Sequence, residues 1–309
     1  MVSLTESYVT ALVVQASLYG LYVTTFWICL RWLMLADKGW GLRRPFDWPM
    51  LVAAIIIFAS FTTWFGANAR LTMEYVRGVK LDLSHVYVVG AVIISGTAGI
   101  ILTTDAVVIY RCWKVYNKSW RIIALPVLFW LGSSISFILV FYYNHQEFTA
   151  LDDADFDMVL MWATKSSYAH PVFRPFNALT NIYTTAAIIY RVKRDASKRS
   201  GHSFKRLQHL CRILAEIESL YTLTTIPPLV AFFQLDPNKY LVLLEATEAV
   251  NFSMAGIAFN LVLIRVGQSR ADAAGTCLVC QASDQRLLLE PRHRHRSSTE
   301  GQSITQDAA

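Results

Sequence analysis

The stretch IIALPVLFWLGSSISFILVFYYNHQ, residues 122–146, contains no Asp, Glu, Lys or Arg, and it decides the fold class of this chain. A helix needs about 20 apolar residues to cross the hydrocarbon core of a bilayer, which is about 30 Å thick. Similar charge-free runs cover 7–30, 48–69, 86–104 and 175–190. Each of these runs predicts a helix that crosses a membrane.

Two shorter charge-free runs, 219–235 and 249–264, extend the count to seven. The overall composition agrees, because 54% of the residues are hydrophobic and 16% are charged, whereas a soluble domain has about 45–50% and about 25%. We therefore predict an all-α polytopic membrane protein, with a seven-transmembrane-helix bundle in residues 1–267 and a disordered cytoplasmic tail in 268–309. The predicted helices cover about 8–30, 49–67, 86–110, 122–143, 167–190, 210–233 and 241–265.

Basic residues predict the orientation of the bundle. Seven helices place four segments on one side, and these hold 22 of the 28 Lys and Arg, whereas the segments on the other side hold four. Lys and Arg remain preferentially in the cytoplasm. The N-terminus is therefore predicted outside and the C-terminus inside. The basic segments are 31–48, 111–121, 191–212 and 265–309.

A first set of ionisable residues falls near the predicted outer ends of helices 5 and 7. Arg174 lies between Pro171 and Pro175, and Glu245 and Glu248 share one face of helix 7. Together with His170, these residues form a candidate ligand site between predicted helices 5, 6 and 7. The alternative is a structural ion pair between Arg174 and one of the two glutamates, because charged groups at membrane depth usually pair inside the bundle.

A second set lies near the predicted cytoplasmic ends of helices 3, 5 and 6. Asp105 precedes Arg111 by six residues, which is roughly 9 Å along a helix. An ion pair from Asp105 or Glu218 to Arg111 or Arg191 is a candidate switch that opens when a ligand binds. The alternative is neutralisation of charge close to the interface.

The five cysteines all fall on the predicted cytoplasmic side. Cys277 and Cys280 in the tail are candidate palmitoylation sites, because juxtamembrane cysteines beside basic residues are typical acceptors. A single CxxC pair is too few ligands for zinc. We therefore predict no metal and no cofactor, and the net charge of +6 reflects membrane topology rather than nucleic-acid binding.

Several strings resemble those of a large group of seven-transmembrane, receptor-like membrane proteins expanded in mushroom-forming (basidiomycete) fungi. The resemblance covers helices 3 to 7 and implies their fold and topology, but no particular activity. In that group the last string usually reads closer to GIAPTL, and Phe259 and Asn260 replace its Pro-Thr here. The strings are IYRCW (109–113) after Asp105, WRIIALP (120–126), TNIYTT (180–185), ESLYT (218–222) and GIAFNLVLIRVG (256–267).

These patterns favour a receptor-like protein of the plasma membrane that senses a small extracellular ligand. The basic loop 191–212 is where a cytoplasmic G protein would dock. The alternative is a proton-linked small-molecule transporter that uses intramembrane carboxylates. A retinal protein is not favoured, because predicted helix 7 has no lysine for a Schiff base. A membrane-embedded hydrolase would need clustered metal ligands or a nucleophile with its base, so we predict no enzyme activity.

Overall fold

The computed structural model describes residues 4–34, 48–78, 83–153, 155–169, 172–198, 213, 216–217, 219–227, 230 and 246–268. Within these ranges the chain forms eight helices and no strand. The chain divides into two compact units, Met1–Gly267 and Gln268–Ala309. The first unit contains the eight described helices except for Gln268, the last residue of the final helix. The rest of the predicted tail lies outside the described residues.

Six of the eight described helices have 23–33 residues, whereas the mean helix of a soluble protein has about 11–12. The eight described helices are α1 (Leu4–Met34), α2 (Trp48–Val76), α3 (Leu83–Val115), α4 (Trp120–Asp152), α5 (Phe156–Ala169), α6 (Phe173–Lys198), α7 (219–227) and α8 (Ala246–Gln268).

Five of the described helices are long and apolar enough to cross a membrane, by length and composition. They are α1 from Val9, α2, α3 from Ser84, α4 and α8. Large apolar side chains such as Val13, Trp27, Leu128 and Ile138 are more than 60% exposed in the isolated chain. An apolar surface of this kind is the one expected of an integral membrane protein in a lipid bilayer. The two other predicted spans, about 167–190 and 210–233, correspond to α6 and α7, which are not among these five helices.

Several helix ends differ from those predicted from sequence. Helix 4 was predicted to end at 143, but α4 continues to Asp152, and α5 occupies part of the region between predicted helices 4 and 5. Asn144 Nδ2 donates to Ser166 Oγ at 3.2 Å, and Tyr143 stacks on Trp162, so the extension packs against α5. Charge-free runs mark the part of a helix that suits hydrocarbon. They do not mark where backbone hydrogen bonding stops.

The turns between α2 and α3 and between α3 and α4 use left-handed backbone conformations. Gly78 has a φ of 63° just after α2, and its N–H donates to the Tyr75 carbonyl. Glycine adopts this conformation at a helix C-terminus without a steric penalty. Asn117 and Lys118 have φ values of 53° and 63° between α3 and α4. Two consecutive left-handed residues reverse the chain in a short turn.

α8 is the most enclosed of the five apolar helices. Within the most apolar 18-residue stretch of each helix, 67% of the α8 residues are buried, against 22–33% in the other four helices. Its small residues Ala249, Ala255 and Ala258 belong to the same hydrophobic core as Tyr22 of α1 and Trp64 of α2. Small residues let helix backbones approach closely in membranes. Three polar residues of α8, Asn251, Ser253 and Asn260, are buried and therefore face neighbouring helices.

Candidate functional site

One face of α6 is polar and turned inward. Arg174, Asn177, Asn181 and Thr184 follow one another at intervals of three or four residues, which places them on one side of a helix. The two asparagines and Thr184 are at most 3% exposed. The opposite side, with Leu179, Ile182 and Tyr190, is exposed and apolar or aromatic. This reversed amphipathicity is typical of a membrane helix that contributes to an internal polar site.

At one end of this face, Arg174 forms an ion pair with Glu248 of α8. The side chains are 10% and 20% exposed, respectively. The Arg174 guanidinium also lies 5.5 Å from the centre of the Phe173 ring. Removing one member of such an enclosed pair leaves the other charge without this partner, which is strongly unfavourable. The pair therefore links α6 to α8 and places one positive and one negative group at the site.

A small cavity lies directly beside the ion pair. Its volume is about 20 Å³, which is enough for one water molecule, because a water needs roughly 10–15 Å³. Side chains from α3, α6, α7 and α8 line it, so it lies where four helices meet. The lining residues are Ile101, Phe173, Arg174, Asn177, Thr225, Glu248, Asn251 and Phe252.

Polar contacts continue from the cavity towards α3. The Tyr221 hydroxyl of α7 donates to Asn177 Oδ1 at 3.4 Å. Asn181 Nδ2 lies within hydrogen-bond distance of the same oxygen, and it also lies 3.1 Å from Asp105 Oδ1. Asp105 is fully buried. Buried carboxylates require hydrogen-bond donors, and Asn181 supplies one from the polar face of α6.

We call the following series of side chains the polar chain: the Arg174–Glu248 pair, Asn177, the Tyr221 hydroxyl, Asn181 and Asp105. The ion pair and Asn177 line the same cavity, and the described hydrogen bonds run from Asn177 through Asn181 to Asp105. Arg174 and Asn181 are seven residues apart, which is roughly 10 Å along α6 at a rise of 1.5 Å per residue. Chemically, the polar chain can bind a charged or polar group at the ion pair and shift hydrogen bonds as far as Asp105.

The chain matches no protein-family model, no curated protein and no solved structure. Its site is therefore defined by the geometry of its own residues. Within the described ranges, no three His, Cys, Asp or Glu side chains are grouped closely enough to hold a metal ion.

The structure brings together two of the four residues of the candidate ligand site. Arg174 and Glu248 are in direct contact and line the cavity. His170 and Glu245 lie outside the described residues. The sequence left Glu245 and Glu248 as alternative partners of Arg174. The structure describes the contact with Glu248.

The structure describes one contact for each of three candidate switch residues. Asp105 accepts a hydrogen bond from Asn181. The Arg111 guanidinium lies 5.5 Å from the Phe259 ring centre, and the Arg191 guanidinium lies 5.5 Å from that of Tyr116. Glu218 falls outside the described residues, as do the candidate palmitoylation sites Cys277 and Cys280.

Sequence reasoning based on charge missed the uncharged members of the site. They are Asn177, Asn181, Tyr221, Thr225 and Asn251. A usable signal was present, because Asn177 and Asn181 continue the helical spacing that starts at Arg174. Polar residues that recur at helical spacing in an apolar segment indicate a face turned towards other helices.

Proposed function

We propose that this protein is a receptor-like integral membrane protein with seven membrane-spanning helices. In this proposal α6 and α7 cross the bilayer together with the five long apolar helices. A small extracellular ligand binds beside the Arg174–Glu248 pair and changes the arrangement of the cytoplasmic helix ends. The observation that carries the proposal is the polar chain, which runs through the bundle from the ion pair to Asp105.

The polar chain suits transmission because neighbouring members share hydrogen-bonding atoms. Asn177 Oδ1 receives contacts from both Tyr221 and Asn181, and Asn181 Nδ2 also reaches Asp105. A ligand that competes for Arg174 or Glu248 would alter the contact between α6 and α8. A shift of α6 would then move the Asn181 donor relative to Asp105. Two alternative hydrogen-bonding arrangements of one buried network provide the discrete states that signalling requires.

Near the basic residues at the C-terminal ends of α3 and α6, the residue that directly follows α3 contacts α6. The Tyr116 hydroxyl donates to the Ala187 carbonyl at 2.8 Å, and Arg191 lies over the Tyr116 ring. With the N-terminus outside, these ends face the cytoplasm. A shift of α6 relative to α3 would thus reposition the basic segments 111–121 and 191–212. We propose a G protein as the cytoplasmic partner and the plasma membrane as the location.

The size of the cavity favours a second candidate, a proton-linked small-molecule transporter. Pockets for organic ligands usually measure about 300–1,000 Å³, whereas this cavity suits water. Glu248 and Asp105 are carboxylates of the kind that relay protons inside membranes. In the receptor model, by contrast, an organic ligand must separate α6 from α8 in order to enter.

One experiment separates the two candidates. Cells expressing the full chain are exposed to a panel of small compounds, and G-protein activation and pH-driven solute uptake are recorded in parallel. The variants are Glu248→Gln and Asp105→Asn. Glu74→Gln serves as the matched control, because Glu74 also pairs with an arginine, the exposed Arg70 at 3.0 Å.

A compound-dependent signal that is lost in Glu248→Gln and Asp105→Asn, but retained in Glu74→Gln, supports the receptor. Uptake that follows the pH gradient and disappears in the same two variants supports the transporter and contradicts the receptor. A signal that is unchanged in both site variants would show that the polar chain is not its route.

A further inference from the structure

The cavity beside the ion pair is lined by a buried amide that has unused hydrogen-bonding capacity. Asn251 is 9% exposed, and its one described hydrogen bond joins its Oδ1 to Thr224 Oγ1 of α7 at 3.2 Å. Its amide N–H groups make no bond among the described residues. A polar group that is enclosed without a partner is unfavourable. These donors therefore require an acceptor in the cavity.

Two neighbouring side chains offer acceptors towards the same space. Thr225 donates its hydroxyl hydrogen to the Thr222 carbonyl at 2.6 Å, so its oxygen keeps lone pairs for a further bond. Glu248 contacts Arg174 through Oε1, and within the described part of the chain its Oε2 accepts no bond. Thr225, Glu248 and Asn251 all line the cavity. The last two are three residues apart on α8 and thus share a face.

We infer that one ordered water molecule occupies this cavity and joins α7 to α8. Its oxygen accepts a hydrogen bond from the Asn251 amide, and its two hydrogens are donated to Thr225 Oγ1 and Glu248 Oε2. Three hydrogen bonds are typical of a buried water, and the cavity volume of about 20 Å³ exceeds the roughly 10–15 Å³ that one water needs. A metal cation of similar size could not accept a bond from an N–H group.

The remaining walls of the cavity are apolar and keep this water apart from other polar groups. They are formed by Ile101, Phe173 and Phe252, which are almost completely buried. Through Thr225 the water extends the link between α6 and α8 to α7. The inference goes beyond the proposed function and holds equally for a receptor and a transporter, because it depends only on the cavity and its lining.

The experiment is X-ray radiolytic labelling of the purified full chain in phosphatidylcholine nanodiscs, followed by mass spectrometry. X-rays convert a bound water into a hydroxyl radical, which oxidises the side chain beside it. Phe252 lines the cavity and is 4% exposed. Phe26 and Phe61 are the matched controls, because they are similarly buried in the same hydrophobic core but are not among the residues that line the cavity.

We expect Phe252 to be oxidised at least several-fold faster than Phe26 and Phe61. Asn251→Leu should lower the rate at Phe252 to that of the two controls, because the water loses the donor that it accepts from. Asn260→Leu should leave the rate at Phe252 unchanged. Asn260 is the matched position, since it is also a buried asparagine of α8 within hydrogen-bond distance of a threonine, Thr25 at 3.2 Å, but does not line the cavity.

Equal oxidation of Phe252, Phe26 and Phe61 in the wild type would overturn the inference, and this comparison does not depend on the folding of any variant. An unchanged rate at Phe252 in Asn251→Leu would also overturn it. An equal loss in Asn260→Leu would do the same, because a general disturbance of α8 would then explain the effect. The signalling and uptake experiment decides the proposed function independently of these results.

Discussion

At the level of single residues, Asn181 connects the two ends of the polar chain. Its Nδ2 lies 3.1 Å from Asp105 Oδ1, and both residues are almost completely buried. Replacement of Asn181 by Leu keeps a similar volume and removes this donor from a buried carboxylate. We expect the free energy of unfolding to fall by about 1–3 kcal/mol. Thermal or denaturant unfolding in detergent would measure the change.

A double-mutant cycle identifies the source of that loss. The Asp105→Leu, Asn181→Leu variant should lose less stability than the two single variants added together, because neither buried polar group is then left without the other. Asn68→Ala is the matched control, since Asn68 Nδ2 donates only to the carbonyl of its own helix at Trp64, at 2.8 Å, among its described bonds. Strict additivity would show that Asn181 stabilises the protein by some other contact.

Two glycines on α3 permit its close approach to α2. A Cβ on Gly96 would lie 2.8 Å from the Trp64 Cβ and 3.0 Å from the Ser60 carbonyl oxygen. A Cβ on Gly99 would lie 2.2 Å from Ser60 Oγ. Ser60 Oγ can rotate away, but the Ser60 Cβ, 2.9 Å from a Cβ on Gly99, and the atoms near Gly96 cannot move without moving α2. Both positions therefore require glycine at the present separation of the helices.

We expect Gly96→Ala to lower the unfolding free energy by about 1–3 kcal/mol, since an overpacked interface must shift. Gly90→Ala on the same helix is the matched control, because a Cβ there meets no atom within 4 Å. Alanine favours a helix interior by roughly 0.5–1 kcal/mol over glycine, so this variant should be neutral or slightly stabilised. Equal losses in the two variants would contradict the close-packing argument.

At the level of elements, Pro126 inside α4 creates a bond between helices. Proline has no N–H, so the carbonyl four residues earlier lacks its usual intrahelical donor. That carbonyl belongs to Ile122, and the Tyr183 hydroxyl of α6 donates to it at 3.0 Å. Freed carbonyls in membrane helices are often satisfied by neighbouring helices in this way. The proline thus fixes the rotation of α6 against α4.

We expect Tyr183→Phe to cost about 0.5–1.5 kcal/mol, the usual net value of one hydrogen bond. The cost should shrink when Pro126→Ala supplies the missing backbone N–H to Ile122. Tyr190→Phe, on the exposed side of the same helix, is the control and should be close to neutral. An undiminished cost of Tyr183→Phe in the Pro126→Ala background would show that the hydroxyl stabilises α6 through another group.

At the level of the whole molecule, the distribution of Lys and Arg predicts which side each turn occupies. Lys80 lies between predicted helices 2 and 3, which the orientation places outside, and Lys118 lies in the inner segment 111–121. The five native cysteines all fall on the predicted inner side. The wild type should therefore react little with a membrane-impermeant thiol reagent applied to intact cells.

In that assay Lys80→Cys should be labelled in intact cells, and Lys118→Cys should be labelled only after permeabilisation. The two variants replace the same residue type and differ only in their side of the membrane. The physical basis is the preference for keeping positive charge in the cytoplasm. The opposite labelling pattern would reverse the proposed orientation and move the Arg174–Glu248 site to the cytoplasmic half.

Hydropathy alone describes α6 poorly, and the structure shows why. α6 runs for 26 residues from Phe173 to Lys198, which exceeds the length of about 20 residues that crosses a bilayer. Its inward face carries Arg174, Asn177 and Asn181, and these enclosed polar side chains lower its average hydropathy. The charge-free run 175–190 predicts the helix. The partners of its polar face could not be found in the same way, because they lie on α3, α7 and α8.

The amino-acid sequence by itself determined that this protein is helical and apolar on its outside, since long charge-free runs act locally along the chain. It also identified Arg174, Glu248 and Asp105 as groups that need partners inside a bundle. Tertiary structure alone decided that Glu248 contacts Arg174, that Asn181 donates to Asp105, and that Tyr183 donates to the Ile122 carbonyl. The reason is geometric. Contacts between helices depend on their relative rotation and register, and the period of a single helix specifies neither.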